Sequence, residues 1–184
     1  GFTGNVVGNV TGNINGNLTG TLQTAAQTNV TSVGALDGGS ITSGFGAINN
    51  GSSAITTTGT LTGGTGVISG SLTVGAVATA NTDTDTSNTG SVTLDFSANQ
   101  NFVLTLTGNV TLANPSTETV GQSGFIVCIQ DGTGGRTLSL GTDYETAGGT
   151  GITLSSAASA TDIIPYVVAA SNRILLGAPQ LAFS

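Results

Sequence analysis

Nine carboxylates and two arginines, with no histidine and no lysine, are the whole ionisable stock of acidic and basic side chains in this chain. That removes the commonest general bases, zinc ligands and Schiff-base nucleophiles at once. The carboxylates are Asp37, Asp83, Asp85, Asp95, Glu118, Asp131, Asp143, Glu145 and Asp162. Hydrolysing a polysaccharide takes a carboxyl pair at a set separation. Asp143 and Glu145, in Gly141-Thr142-Asp143-Tyr144-Glu145, have a spacing that could turn both the same way. Acidic turns far outnumber catalytic dyads, so the pair reads as a solvated turn. Asp83-x-Asp85-x-Ser87 opens like a calcium loop, but Asn88 stands where glycine is needed and Leu94 where the closing Glu belongs. Leu61-Thr62-Gly63-Gly64-Thr65-Gly66 lacks the lysine of a phosphate loop.

Other candidates are equally spare. Glycosylation triplets occur at Asn9, Asn17, Asn29, Asn50 and Asn109, and read as by-products of the repeats around them. Cys128, the single cysteine, lies in Phe125-Ile126-Val127-Cys128-Ile129-Gln130 and reads as a small buried hydrophobe. Tyr144, Tyr166 and Phe183 are the aromatics able to stack on a sugar; core packing explains Tyr166 and Phe183 at least as well. The expectation is therefore of a protein that is not an enzyme, with no catalytic residue, cofactor or metal ligand, and with receptor-contacting residues unassigned.

Composition narrows the partners. Net charge is −7, and Arg136 and Arg173 are the only cationic side chains, so no basic patch for phosphates or anionic lipid can be built from one copy. The longest apolar stretch, Ile163 to Ala170, is short and contains Pro165, which excludes a membrane-spanning helix there. Neither nucleic-acid binding nor membrane insertion is expected. Charged residues make up only 6% of the chain, whereas Thr, Val, Ser and Gly abound. That is the vocabulary of strands and turns, and the fold class reads as all-β.

The elements that must position these residues fall into zones. From Gly4 a four-residue phrase repeats: Gly4-Asn5-Val6-Val7, Gly8-Asn9-Val10-Thr11, Gly12-Asn13-Ile14-Asn15, Gly16-Asn17-Leu18-Thr19, Gly20-Thr21-Leu22-Gln23. Four is twice the strand period, so one face alternates glycine with Val6, Val10, Ile14, Leu18 and Leu22 while the other is almost wholly Asn, Thr and Gln. Residues 4 to 22, extended, would span roughly 60 Å at about 3.3 Å per residue, too long for an ordinary strand. Such a face closes when several copies meet at an axis, and a homotrimer is the simplest closure. Residues 28 to 90 carry scattered aliphatics among Gly, Ser and Thr, and can pack only if neighbouring copies share a core. Asn81 to Asn88 reads as a polar linker. The division is thus a Gly/Asn/Thr-rich shaft over 1–90 and a head over 91–184.

In the head, Val92 to Phe96 and Phe102 to Leu106 alternate cleanly. Phe125 to Gln130 and Arg136 to Leu140 flank Asp131-Gly132-Thr133-Gly134-Gly135, which predicts a hairpin. Ile163 to Ala169 and Arg173 to Leu176 flank Ala170-Ser171-Asn172, which predicts another. With short pieces near Val110 and Ile152 this gives about eight strands, the density of a β-sandwich of jelly-roll type.

The run Ala35-Leu36-Asp37-Gly38-Gly39-Ser40-Ile41-Thr42-Ser43-Gly44-Phe45-Gly46-Ala47-Ile48-Asn49-Asn50-Gly51-Ser52-Ser53-Ala54-Ile55-Thr56-Thr57-Thr58-Gly59 resembles the shafts of bacteriophage tail-fibre and virion-fibre proteins, particularly of marine and cyanobacterial phages. The ending Ser171-Asn172-Arg173-Ile174-Leu175-Leu176-Gly177-Ala178-Pro179-Gln180-Leu181-Ala182-Phe183-Ser184 looks like the C-terminal head of the same group. The resemblance implies a homotrimer, an extracellular place on a virion, and attachment to a host surface, with a cell-surface glycan as the receptor class. The chain opens in mid-repeat at Gly1, which reads as a piece or processed product; other tail or baseplate proteins would be met through an upstream segment. The rival reading is a prokaryotic pilus subunit, Gly4 to Leu22 being the donor strand of the next subunit's sandwich. Alternating glycines count against it, because a donor strand fills a pocket at each inward position.

Overall fold

The computed structural model describes residues 11, 47, 49–64 and 66–183. The tetrapeptide repeat, apart from an exposed Thr11, lies outside the described residues, as do Asp37 and the triplets at Asn9, Asn17 and Asn29. The chain divides into two compact units, Gly1–Gly66 and Val67–Ser184. In the first, a turn is closed by the Ser53 N–H donating to the Asn50 carbonyl at 3.1 Å, with Gly51 at φ 59°. Residues 52–64 and 66–80 form no strand or helix, and Ile55, Leu61, Val67, Ile68, Leu72, Val74 and Val77 are all exposed.

The second unit holds eight strands: β1 Thr82–Thr93, β2 Asn101–Ala113, β3 Ser123–Gln130, β4 Leu138–Leu140, β5 Tyr144–Thr146, β6 Thr161–Ala170, β7 Arg173–Leu176 and β8 Gln180–Phe183. Its one helical piece is a 3-10 turn at Ala147–Gly149, and among the described residues no helix is long and apolar enough to cross a membrane. The all-β class expected from sequence is thus found; the strand total agrees only in number, since the piece near Val110 belongs to β2, residues around Ile152 form no strand, and β5 and β8 were not expected.

Pairing differs from expectation. The strands form one mixed sheet in the order β1-β2-β3-β6-β7-β5, with β4 added to β2 and β8 to β6, where a two-sheet sandwich was expected. β1, β2 and β3 run parallel. β2 is long enough for two partners on one side: Phe102 to Leu106 pair with β3, and Val110 to Leu112 pair with β4. β4 leads into β5 through Gly141 to Asp143, and one buried cluster draws on β2, β3, β4, β5, β6 and β7.

Alternation builds that core. Phe102, Leu104, Leu106, Val110 and Leu112 of β2 are 0–1% exposed, and Ile126, Cys128, Ile164, Tyr166, Val168 and Ile174 join them. The β1–β2 crossover contributes Leu94 and Phe96, and Phe96 meets Tyr166 edge-on at 5.3 Å between centroids. These aliphatic and aromatic side chains cover the sheet where a helix usually lies in a parallel crossover.

Two sequence expectations are corrected here. Asn81 to Asn88, read as a linker, mostly lies in β1, and the expected boundary at residue 90 falls inside that strand. An edge strand pairs through its backbone while its side chains meet water, so polar Thr and Asp suffice. Buried Asn88 fills the register shift, its Nδ2 donating to the carbonyls of Asp85 at 3.1 Å and Thr105 at 3.2 Å. The hairpin across 131–135 does not form either. β4 joins β2, where the Val110 N–H donates to the Thr137 carbonyl at 2.9 Å, past Leu106, the last residue that β3 pairs. The second hairpin is present, β6 pairing antiparallel with β7 and Asn172 turning at φ 56°.

Candidate interaction face

Every second residue of the central strands points away from the core. Ladder partners share a face, so Val103 with Val127, Phe125 with Pro165, Val127 with Ile163 and Val167 with Leu175 make one outer surface across β2, β3, β6 and β7. None of these residues is charged, and Phe125 is 49% and Val167 40% exposed. Phe183 of β8, opposite Thr161 and 45% exposed, extends the surface at one side. Pro165 fits within β6 because its neighbour changes there: Ile163 pairs with β8, Tyr166 with β7, and the Pro165 carbonyl accepts from the Gly177 N–H at 2.8 Å. Gly177 is required at that contact, since a Cβ there would stand 2.7 Å from the Pro165 ring.

A cleft of about 470 Å³ opens at one end of this face, lined by Gln100, Asn101, Ser123, Gly124, Phe125 and Pro165 among others. A second, of about 630 Å³, lies between Leu138–Gly141, Tyr144–Thr146 and Gly149–Ile152. Both are wide clefts lined mostly by uncharged residues, with Glu145 the one carboxylate-bearing residue of the second.

The sequence-predicted residues fall as follows. Asp143 and Glu145 are not brought together: Asp143 is buried before β5, whereas Glu145 is exposed and engaged by Arg173 at 2.9 and 3.0 Å. That guanidinium holds the Glu145 carboxyl below its ordinary value. Asp131 pairs with Arg136 at 2.8 Å, and the bond from Arg136, helped by the Gly134 N–H, lowers its pKa to about 2. Both arginines are thus spent within the chain. Asp85 only caps the Ser87 N–H at 3.1 Å, and among the described residues no three His, Cys, Asp or Glu gather as a metal site would require. Cys128 is buried, and desolvation with the nearby Asp162 pushes its thiol up to about 12. Tyr144 and Tyr166 are core residues; burial raises both phenols, Tyr166 to about 12, and the Tyr166 hydroxyl donates to the Gln100 carbonyl at 2.6 Å. Of the three named aromatics only Phe183 is open to a partner. Phe125 was missed, although its place two residues before Val127 in an apolar strand marked it as lying on the opposite face from Ile126 and Cys128.

A buried core thus lies behind an outer sheet face whose β2, β3 and β6 members Val103, Phe125, Val127, Ile163, Pro165 and Val167 carry no charge. Residues 88–170, from the bulge of β1 to the end of β6, match the family model described as "Putative phage tail fibre C-terminal domain". This stretch is similar to phage tail-fibre sequence, which supports a phage tail-fibre protein, a structural component of a virion. It shares no residue with the runs 35–59 and 171–184 that carried the resemblance, so the two lines of reasoning are independent and agree. No curated protein and no solved structure gives a significant match.

Proposed function

We propose that the chain is a non-catalytic subunit of a homotrimeric, extracellular phage tail fibre. In this reading residues 1 to about 90 form a shared shaft, and the C-terminal unit is presented for attachment to the host surface. A cell-surface glycan is the receptor class, and an upstream segment joins other tail or baseplate proteins. The observation that carries the shaft is the exposure of Ile55, Leu61, Val67, Ile68, Leu72, Val74 and Val77, from 49% to 88%, along a stretch without a strand or core of its own. Aliphatics at that density stay in water only at a cost of about 2 kcal/mol each relative to burial, which sister chains would relieve. The donor-strand pilus needs a groove open to the core. Phe102, Leu106, Leu112, Ile126, Ile164 and Ile174 are each 0% exposed, which weighs against it.

Light scattering on the full chain tests the assembly: a mass near three times 17.8 kDa is expected. A single-chain mass overturns the trimer, and a ladder of masses restores the pilus. Antibodies against residues 88–170 should label fibre ends on virions and block adsorption; labelling without any block overturns the attachment role.

A further inference from the structure

We propose that the outer face of β2, β3 and β6, centred on Phe125 and Val167, is where the C-terminal units of sister chains pack against one another. The proposal rests on the trimeric reading and adds to it the surface by which the heads meet.

Charge selects the occupant. The chain carries net charge −7, and both arginines are already paired, with Asp131 and Glu145. Copies approaching through most of their surface would set carboxylates against carboxylates, which costs binding energy. Val103, Phe125, Val127, Ile163, Pro165 and Val167 offer a face without any charge, and Asp162, between Thr161 and Ile163, turns into the core at 1% exposure. Glu145, the ladder partner of Leu175 at the β5 edge of this side, is already paired with Arg173, so a basic partner would find no free carboxylate there. A second copy of the same apolar face meets no repulsion, and self-association surfaces are the more apolar kind.

Size explains why tethering matters. Three strands about 4.8 Å apart and some six residues long at about 3.3 Å each make roughly 300 Å². Freely associating proteins bury about 800 Å² per partner, so this face alone would not gather copies from dilute solution. Chains already held together by a shaft face a high effective concentration, and a face of this size then suffices.

The test is hydroxyl-radical footprinting of the native full chain, read residue by residue by mass spectrometry, beside its mass by light scattering. Phe125, half exposed in one chain, should oxidise as slowly as the fully buried Phe102. In Val167→Glu, which places a carboxylate at an exposed position of the face, Phe125 should oxidise severalfold faster while the mass stays trimeric. A trimer whose wild-type Phe125 oxidises freely overturns the head contact and leaves the fibre reading standing. A monomer with Phe125 oxidised freely overturns both. A monomer with Phe125 protected also overturns the proposal, because something other than a sister chain would then cover the face. The wild-type measurement stands even if Val167→Glu fails to fold.

Discussion

Gln130 grips the backbone of Arg136 from both ends of its amide: Oε1 accepts the Arg136 N–H at 2.8 Å and Nε2 donates to the Arg136 carbonyl at 2.8 Å. A side chain thereby takes the part of a paired strand, and closes the 131–135 loop without a hairpin. Gln130 is 2% exposed, so both bonds are shielded from water.

Gln130→Leu should therefore destabilise the protein by about 2 to 4 kcal/mol, since it strands a shielded N–H and carbonyl. Urea unfolding would measure the loss, and trypsin should then cut faster after Arg136. An unchanged midpoint would show that water replaces the amide at no cost.

Asp162 is the second buried anchor. Its carboxylate accepts from the Ser155 N–H at 2.7 Å, the Ser155 hydroxyl at 2.7 Å and the Ala182 N–H at 2.8 Å, tying the 155 loop and β8 to β6. Asp162→Ala should cost about 3 kcal/mol or more, because three donors lose their acceptor. Hydrogen exchange at Ala182 should quicken well before global unfolding.

Cys128 should report on folding. Its raised pKa and burial leave almost no thiolate at pH 8, so a disulfide reagent should find no reactive thiol in the native chain and one in denaturant. Prompt native reaction would place Cys128 outside the core.

Acid should loosen the 131–136 corner. Asp131 titrates at about 2 in the folded chain against 3.8 for the free side chain, so the Arg136 pair contributes its full stability above the unfolded value. That contribution fades as pH falls from about 4 to about 2. Asp131→Asn should flatten this limb of a stability-against-pH curve, and a limb of unchanged steepness would remove the pair from the acid response.

Strand positions were legible in the sequence at Phe102 to Leu106, Phe125 to Gln130 and the hairpin turning at Asn172, whereas Val92 to Phe96, which alternates as cleanly, leaves β1 after Thr93. Composition alone gave the all-β class. What period-two alternation could not give is the partner of each strand. The parallel run of β1 with β2 depends on Leu94 and Phe96 reaching across the core, and β4 reaches β2 because β3 stops short of Val110. In β3 both faces are apolar, so sequence alone could not say that Ile126 and Cys128 lie inside while Phe125 is left outside. Burial is decided by contacts between residues far apart in the chain, and those exist only once the strands have paired.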